Sequence, residues 1–372
     1  MFHNISRTCS TGDIKIGRLH TAEPSGVSVP TRARLTSIGF EHNLSIESFE
    51  IEPPGPGEVL VRVEACGVCH RDLIDRGGRF PWLQVPITPG HEVCGRIEAV
   101  GEGVQSWRPG DRVGTLHRDH CGACPACERG ESSLCPNGIW VYGLIADGGY
   151  ATHLKARPAS LFKLPDGPPA ADLCAMHCTA GTAYRGLVVQ GRLAAGQTVL
   201  ITGANGGVGA AAIQVAHRLG AKVIAQVRRP ERVEFVTALG ADQVLVDDGT
   251  SFHRKLSEQV DVVLDCVGSP TFNSSLRCAR MGGHVVVVGN VSTERAKLNL
   301  GYAIVHGLHI HGSSGATAED MAALLELHAQ EPLALAQLRD QIMPLARADA
   351  AQRAIRAGGL AGRIVLDCAS AD

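Results

Sequence analysis

The chain has 372 residues, with 35 Lys plus Arg against 37 Asp plus Glu, a net charge of −2 and 44% hydrophobic residues. That length predicts about two domains. The balanced charge gives no case for a nucleic-acid partner or an anionic membrane surface, and no apolar run reaches the ~20 residues that cross a bilayer.

Residues 1–31 are polar, carry few acids and contain no apolar signal core, so they read as an N-terminal extension; a weak organelle-targeting signal is the other reading of that composition. From Arg32 to about Arg157, short β-like runs alternate with Gly and Pro turns, as in Pro53-Pro54-Gly55-Pro56-Gly57. The runs Ala33–Gly39, Val59–Ala65 and Val93–Val100 predict a compact β-barrel. Inside this region lie Cys121, Cys124, Cys127 and Cys135. Successive C-x-x-C steps bring thiolates around one soft cation, and four sulfur ligands predict a closed, structural zinc site. Two surface disulfides would be the competing arrangement. However, the chain has thirteen cysteines, an odd number, and no secretory signal. This argues for a reducing, cytoplasmic setting with metal-bound or free thiols.

From residue 196 to about 315 the pattern changes to short apolar strands separated by helix-length segments. The predicted strands are Thr198–Thr202, Lys222–Val227, Gln243–Val246, Val262–Cys266, His284–Gly289 and Leu308–Gly312. Alternation of this kind predicts a doubly wound parallel sheet whose strands are apolar on both faces. The last two strands are expected at a sheet edge. The first strand runs into Gly203-Ala-Asn-Gly206-Gly207-Val208-Gly209 and a helix reaching Leu219. Glycines there let the backbone approach a pyrophosphate at a helix N-terminus. The second strand ends Val227-Arg228-Arg229 with no acid to take a ribose 2′-hydroxyl. Two arginines at that point predict preference for the 2′-phosphate of NADP(H). Histidines 306, 309 and 311 alternate in part along the last strand, a weak hint of a further metal site. The tail opens with a predicted helix at Ala318–Ala329 and ends in the apolar run Gly362–Asp367.

Three further segments carry chemistry: Cys66-Gly-Val-Cys69-His70-Arg71-Asp72, Gly90-His91-Glu92 and Cys178-Thr-Ala-Gly-Thr-Ala-Tyr184. Together with the cysteine cluster and the glycine turn, in this order, the sequence resembles the zinc-containing, alcohol dehydrogenase-like medium-chain dehydrogenase/reductase family. The resemblance runs from about residue 32 to the C-terminus. It implies an α/β protein with a GroES-like β-barrel catalytic domain and a Rossmann nucleotide-binding domain. The boundaries expected are 32–179 for the first domain, 180–316 for the second, and 317–372 folding back onto the first. It also implies a catalytic zinc, the second per chain, held by Cys69, His91 and Cys178. Glu92 would be an alternate ligand, and Asp72 would orient His91. Cys174 competes with Cys178, which has the better spacing to Tyr184. His70, Gly203, Gly206, Gly207, Val208, Gly209, Arg228 and Arg229 are the expected cofactor-binding residues, and a homodimer or homotetramer is the expected assembly.

Two positions depart from the pattern. Family alcohol dehydrogenases place a Ser or Thr two residues after the first zinc cysteine, and a histidine further on, to carry away the alcohol proton. Here those positions are Arg71 and Ile74. Arginine stays protonated and relays poorly. His70, Glu92 and His177 are then the candidate proton carriers. Arg71 could bind a substrate or cofactor anion, or pair with Asp75. Members that reduce acryloyl-CoA-type thioesters share the C-x-R-D arrangement. They also resemble this chain at Gly268–Phe272, Met281–Gly283 and Asn299–Tyr302. The expected function is therefore hydride transfer between NADP(H) and an alcohol/carbonyl pair on a small molecule. Reduction of an activated C=C bond is the alternative, and a nucleotide-binding protein without chemistry the third.

Overall fold

The computed structural model describes residues 29–292 and 294–369. Most of the 1–31 extension, and Cys9 within it, lies outside the described residues. Fifteen strands are described: β1 (Thr31–Arg34), β2 (Ser45–Ser48), β3 (Val59–Val68), β4 (Glu92–Val100), β5 (Arg112–Thr115), β6 (His153–Ala156), β7 (Leu161–Lys163), β8 (Thr198–Ile201), β9 (Lys222–Val227), β10 (Gln243–Val246), β11 (Val260–Asp265), β12 (Ala279–Val287), β13 (His309–Gly312), β14 (Arg339–Pro344) and β15 (Arg363–Asp367).

β1 and β2 pair antiparallel with each other, and the other thirteen form two large sheets. The first has the order β14-β15-β3-β4-β5-β7, with β6 also on β3, and its pairs are antiparallel except β14 with β15. Its core holds Val59, Val61, Val63, Ile97 and Val113, joined by Ile364 and Leu366 from the tail. The second is parallel throughout, in the order β10-β9-β8-β11-β12-β13. Val199, Leu200 and Ile201 are fully buried in succession, because helices cover both faces of this sheet. The architecture is α/β, a GroES-like sheet domain beside a Rossmann-type sheet.

Several expected strands shift. The run Ala33–Gly39 is strand only to Arg34, after which the chain bends and Gly39 takes φ 109°. β3 extends three residues past Ala65, because Cys66 and Gly67 pair with Val93 and Glu92. β12 is not an edge strand: it lies between β11 and β13, and β13 alone forms that edge. His306 is helical, since Leu300–His306 is a helix closed by Gly307 in the left-handed region. The tail helix covers Ala318–Gln330 and opens on a capping box between Thr317 and Asp320. Among the described residues no helix is long and apolar enough to cross a membrane.

Candidate active site and metal centres

The cleft site begins where β3 ends. Cys69 caps the helix His70–Arg76, and its backbone N–H donates to Asp72 Oδ2 at 2.9 Å. Tyr150 Oη donates to the same oxygen at 2.8 Å, while Asp72 Oδ1 lies 3.1 Å from His91 Nδ1. A carboxylate can only accept, so Nδ1 carries a proton, and a metal ion would take the place of any proton on Nε2. That Nε2 is buried and has no hydrogen-bond partner.

Around it stand Cys69, Glu92 and Cys178, whose ligand atoms together with that of His91 all lie within 4.8 Å of one another. The two sulfurs are 3.8 Å apart. Two Zn–S bonds of about 2.3 Å meeting at the tetrahedral angle require about the same span. The hydrogen bond from Cys178 holds the Cys69 thiol well below its usual range, against burial and with help from His91. One thiolate is thus already favoured, and a zinc ion fits the two sulfurs and the orphaned imidazole nitrogen. Cys174 is elsewhere, its thiol donating to the Ala171 carbonyl at 3.3 Å.

Glu92 is fully buried and ion-paired with Arg363. Burial pushes its pKa up to about 7 although Arg363 pulls it down. Arg363 also lies against the glycine turn: a Cβ on Gly207 would sit 2.9 Å from its guanidinium. This arginine was not legible in the sequence, since nothing near position 363 marks it. Only the pairing of β15 with β3 brings it into the cleft.

Arg71 is held by two partners. Its Nε donates to Asp75 Oδ2 at 2.9 Å and an η nitrogen donates to the Tyr142 carbonyl at 2.6 Å. Asp75 is buried, which raises its pKa to about 6 despite the pull of Arg71. His70 is exposed on the helix, whereas His177 is buried and burial pulls its pKa down to about 3. The His177 ring stacks on His117 with centroids 5.7 Å apart. His117 is a second residue without a sequence signal.

The cysteine cluster is equally compact. The Cys124–Cys127, Cys124–Cys135 and Cys121–Cys135 sulfurs are 3.6, 3.8 and 3.6 Å apart. These again match the edges of a ZnS4 tetrahedron built on bonds of about 2.3 Å. Backbone N–H of Cys121 donates to Cys135 Sγ at 3.4 Å, and Asn137 Nδ2 donates to Cys121 Sγ at 3.5 Å, both of which favour thiolate. All the described cysteines are free thiols, so the disulfide arrangement is not adopted.

The glycine turn joins β8 to the helix Gly207–Arg218. Gly203 takes φ 57°, and a Cβ on Gly209 would come within 2.5 Å of the Gly203 carbonyl oxygen. No larger residue fits there, so the helix start stays open to a phosphate. Gly206 and Val208 lie in the same turn, and Gly206 bridges to Gly362 beside Arg363. At the end of β9, Gln226 is buried and spans the turn: its Oε1 accepts from Gly203 N at 3.3 Å and its Nε2 donates to the Asp247 carbonyl at 2.8 Å. Arg228 and Arg229 follow, both exposed.

Two family descriptions match the chain: the alcohol dehydrogenase GroES-like domain over residues 55–166 and the zinc-binding dehydrogenase domain over residues 207–330. An acryloyl-coenzyme A reductase of Sulfurisphaera tokodaii is 38% identical over 290 residues, 78% of this chain and 86% of that protein. An alcohol dehydrogenase of Geobacillus stearothermophilus is 32% identical over 334 residues, 88% of this chain and 97% of that one. The crystal structure of AibC superposes with a TM-score of 0.85 at 38% identity, covering 91% of this chain and 96% of the other. On these matches the chain is an oxidoreductase and belongs to the alcohol dehydrogenase-like, zinc-binding branch of the medium-chain dehydrogenase/reductase family.

Proposed function

We propose that the protein reduces the C=C bond of an α,β-unsaturated acyl thioester with NADPH. The observation that carries this reading is the fixed position of Arg71. An alcohol/carbonyl reaction must move a proton between the substrate oxygen and solvent. The residue that would start that path is a guanidinium tied to Asp75 and the Tyr142 carbonyl, and it neither accepts nor releases a proton at working pH. Reduction of an enoyl thioester does not need that path. Hydride from the dihydronicotinamide adds to the β-carbon, the π-electrons move toward the carbonyl oxygen, and a proton from solvent adds to the α-carbon. The relatives named acryloyl-CoA reductase support the same substrate class.

The chain's own residues orient and hold. Asp72 fixes the His91 ring with Nε2 inward, Tyr150 and the Cys69 N–H fix Asp72, and Arg363 holds the buried Glu92 charge. A zinc ion on Cys69, His91 and Cys178 would supply electrophilic pull on a carbonyl oxygen. The same donor set favours a second reading, hydride exchange with an alcohol/carbonyl pair, because two cysteines and one histidine are a composition used by alcohol dehydrogenases.

A substrate panel separates the two. With NADPH, turnover is expected on unsaturated acyl-CoA thioesters and not on aldehydes or ketones. Turnover on carbonyl compounds alone would overturn the C=C reading.

The cofactor choice rests on the missing acid after β9 and on Arg228 and Arg229. The KM for NADPH is expected below that for NADH. In the double variant R228A/R229A the KM for NADPH should rise by roughly tenfold or more, the value of a charged phosphate contact, while that for NADH stays put. A lower KM for NADH in the unmodified protein would sink the preference. Reduced thiols at both centres suit a cytoplasmic setting.

A further inference from the structure

The edge of the parallel sheet carries a cluster that neither the cleft nor the cysteine lobe uses. His309 and His311 are two apart on β13, so their side chains share one face. On β12, His284 sits directly opposite His309 in the register. His284 Nδ1 lies 3.1 Å from His311 Nε2. The His284 ring stacks on both neighbours, with centroids 4.7 Å from His309 and 5.2 Å from His311.

A separation of 3.1 Å suits a hydrogen bond between neutral rings. It equally suits two ligands of one ion. Bonds of about 2.0–2.1 Å place their nitrogens about 2.9 Å apart at a right angle and about 3.4 Å apart at the tetrahedral angle. Burial, the neighbouring imidazoles and the Arg192 cation all lower the pKa of His284 and His311, and Arg280 adds to the effect on His284. Both rings are therefore neutral donors at neutral pH. Two adjoining strands fix the backbone spacing of all three residues, so only side-chain rotations separate the present arrangement from a three-nitrogen set. His309 is exposed and has the room to rotate.

We propose that His284 and His311, with His309 beside them, form a third metal site that takes a divalent transition ion of the imidazole-favouring class, such as Zn²⁺ or Ni²⁺. The site is distinct from the two cysteine-containing groups. It does not depend on which bond the enzyme reduces.

Isothermal titration of Ni²⁺ into the untagged full-length protein, prepared with two zinc ions per chain so that only the cysteine-containing groups are filled, tests it. Ni²⁺ is expected to bind once per chain, and H284A or H311A should weaken that binding by at least roughly tenfold, as loss of a ligand requires. H311Q keeps a polar group for His284 but supplies a poor ligand, so it should lose Ni²⁺ as H311A does. H309A should fall between H311A and the parent. Turnover and zinc content should match the parent in every variant, which shows that the fold is intact. Ni²⁺ binding that is absent from the parent, or unchanged in H284A and H311Q, would overturn the site.

Discussion

Replacing Cys178 by serine is expected to remove one of two zinc ions per chain and to cut kcat by about a thousandfold. Cys178 is the better test position because Cys69 also caps a helix through its backbone and anchors Asp72. C178S leaves the network of Asp72, Tyr150 and His91 untouched and replaces one thiolate with a weak neutral donor. Electrophilic polarisation by a metal is worth several kcal/mol, and each ~1.4 kcal/mol is tenfold in rate, which gives the factor of about 10³. Metal analysis and turnover measured on the same preparation make the check. A variant that has lost one zinc and keeps full turnover would show that the metal takes no part in the reaction. A variant that keeps both zincs would mean that Cys69, His91 and Glu92 hold the ion without Cys178.

Replacing Cys135 by serine should act on stability instead. Cys135 is fully buried, and its sulfur lies against those of Cys121 and Cys124. Zinc bound by four such ligands carries an apparent free energy of roughly 10–16 kcal/mol in small domains, where binding and folding are one event. Here the lobe is one excursion from a larger sheet, so only part of that reaches the global transition. A loss of about 3 kcal/mol or more is expected, and with it a fall in Tm of about 5 °C or more. Calorimetry with zinc analysis measures both. An unchanged Tm after loss of one zinc would make the lobe a local ornament rather than a structural element.

What was legible in the sequence was mostly local. β9 and β10 begin and end where expected because apolar runs there are bounded by turns and charges. The cysteine cluster was legible because its four ligands come from one short loop. The cleft ligands lie far apart in the chain, and only the family resemblance joined Cys69, His91 and Cys178 before the structure brought them together. Arg363 and His117 had no such help. Each matters through what packs against it, and a single residue type at one position says nothing of its neighbours. The histidines show the same limit. Residues 306, 309 and 311 looked like one alternating strand, yet Gly307 ends a helix before β13 begins. The partner of His309 and His311 proved to be His284, one strand away in space and far away in sequence. Arg71 was legible as a departure, but not as a side chain already committed to Asp75 and Tyr142.

The return of β15 to β3 sets the order in which the molecule can be made. Ile364 pairs with Val68 and Leu366 with Cys66, so the sheet that carries Cys69 is finished only after the whole parallel-sheet domain has been synthesised. The parallel-sheet domain, by contrast, has all its strands available once β13 has emerged. During synthesis, Val59–Val68 waits with an open edge and Glu92 waits without its counter-ion. Pairings between such distant segments form slowly and leave partly built sheets exposed. A nascent chain should thus hold a finished nucleotide fold beside an unfinished reaction centre. A polypeptide stopped before Arg363 is a cofactor binder in waiting, with the chemistry still to be assembled.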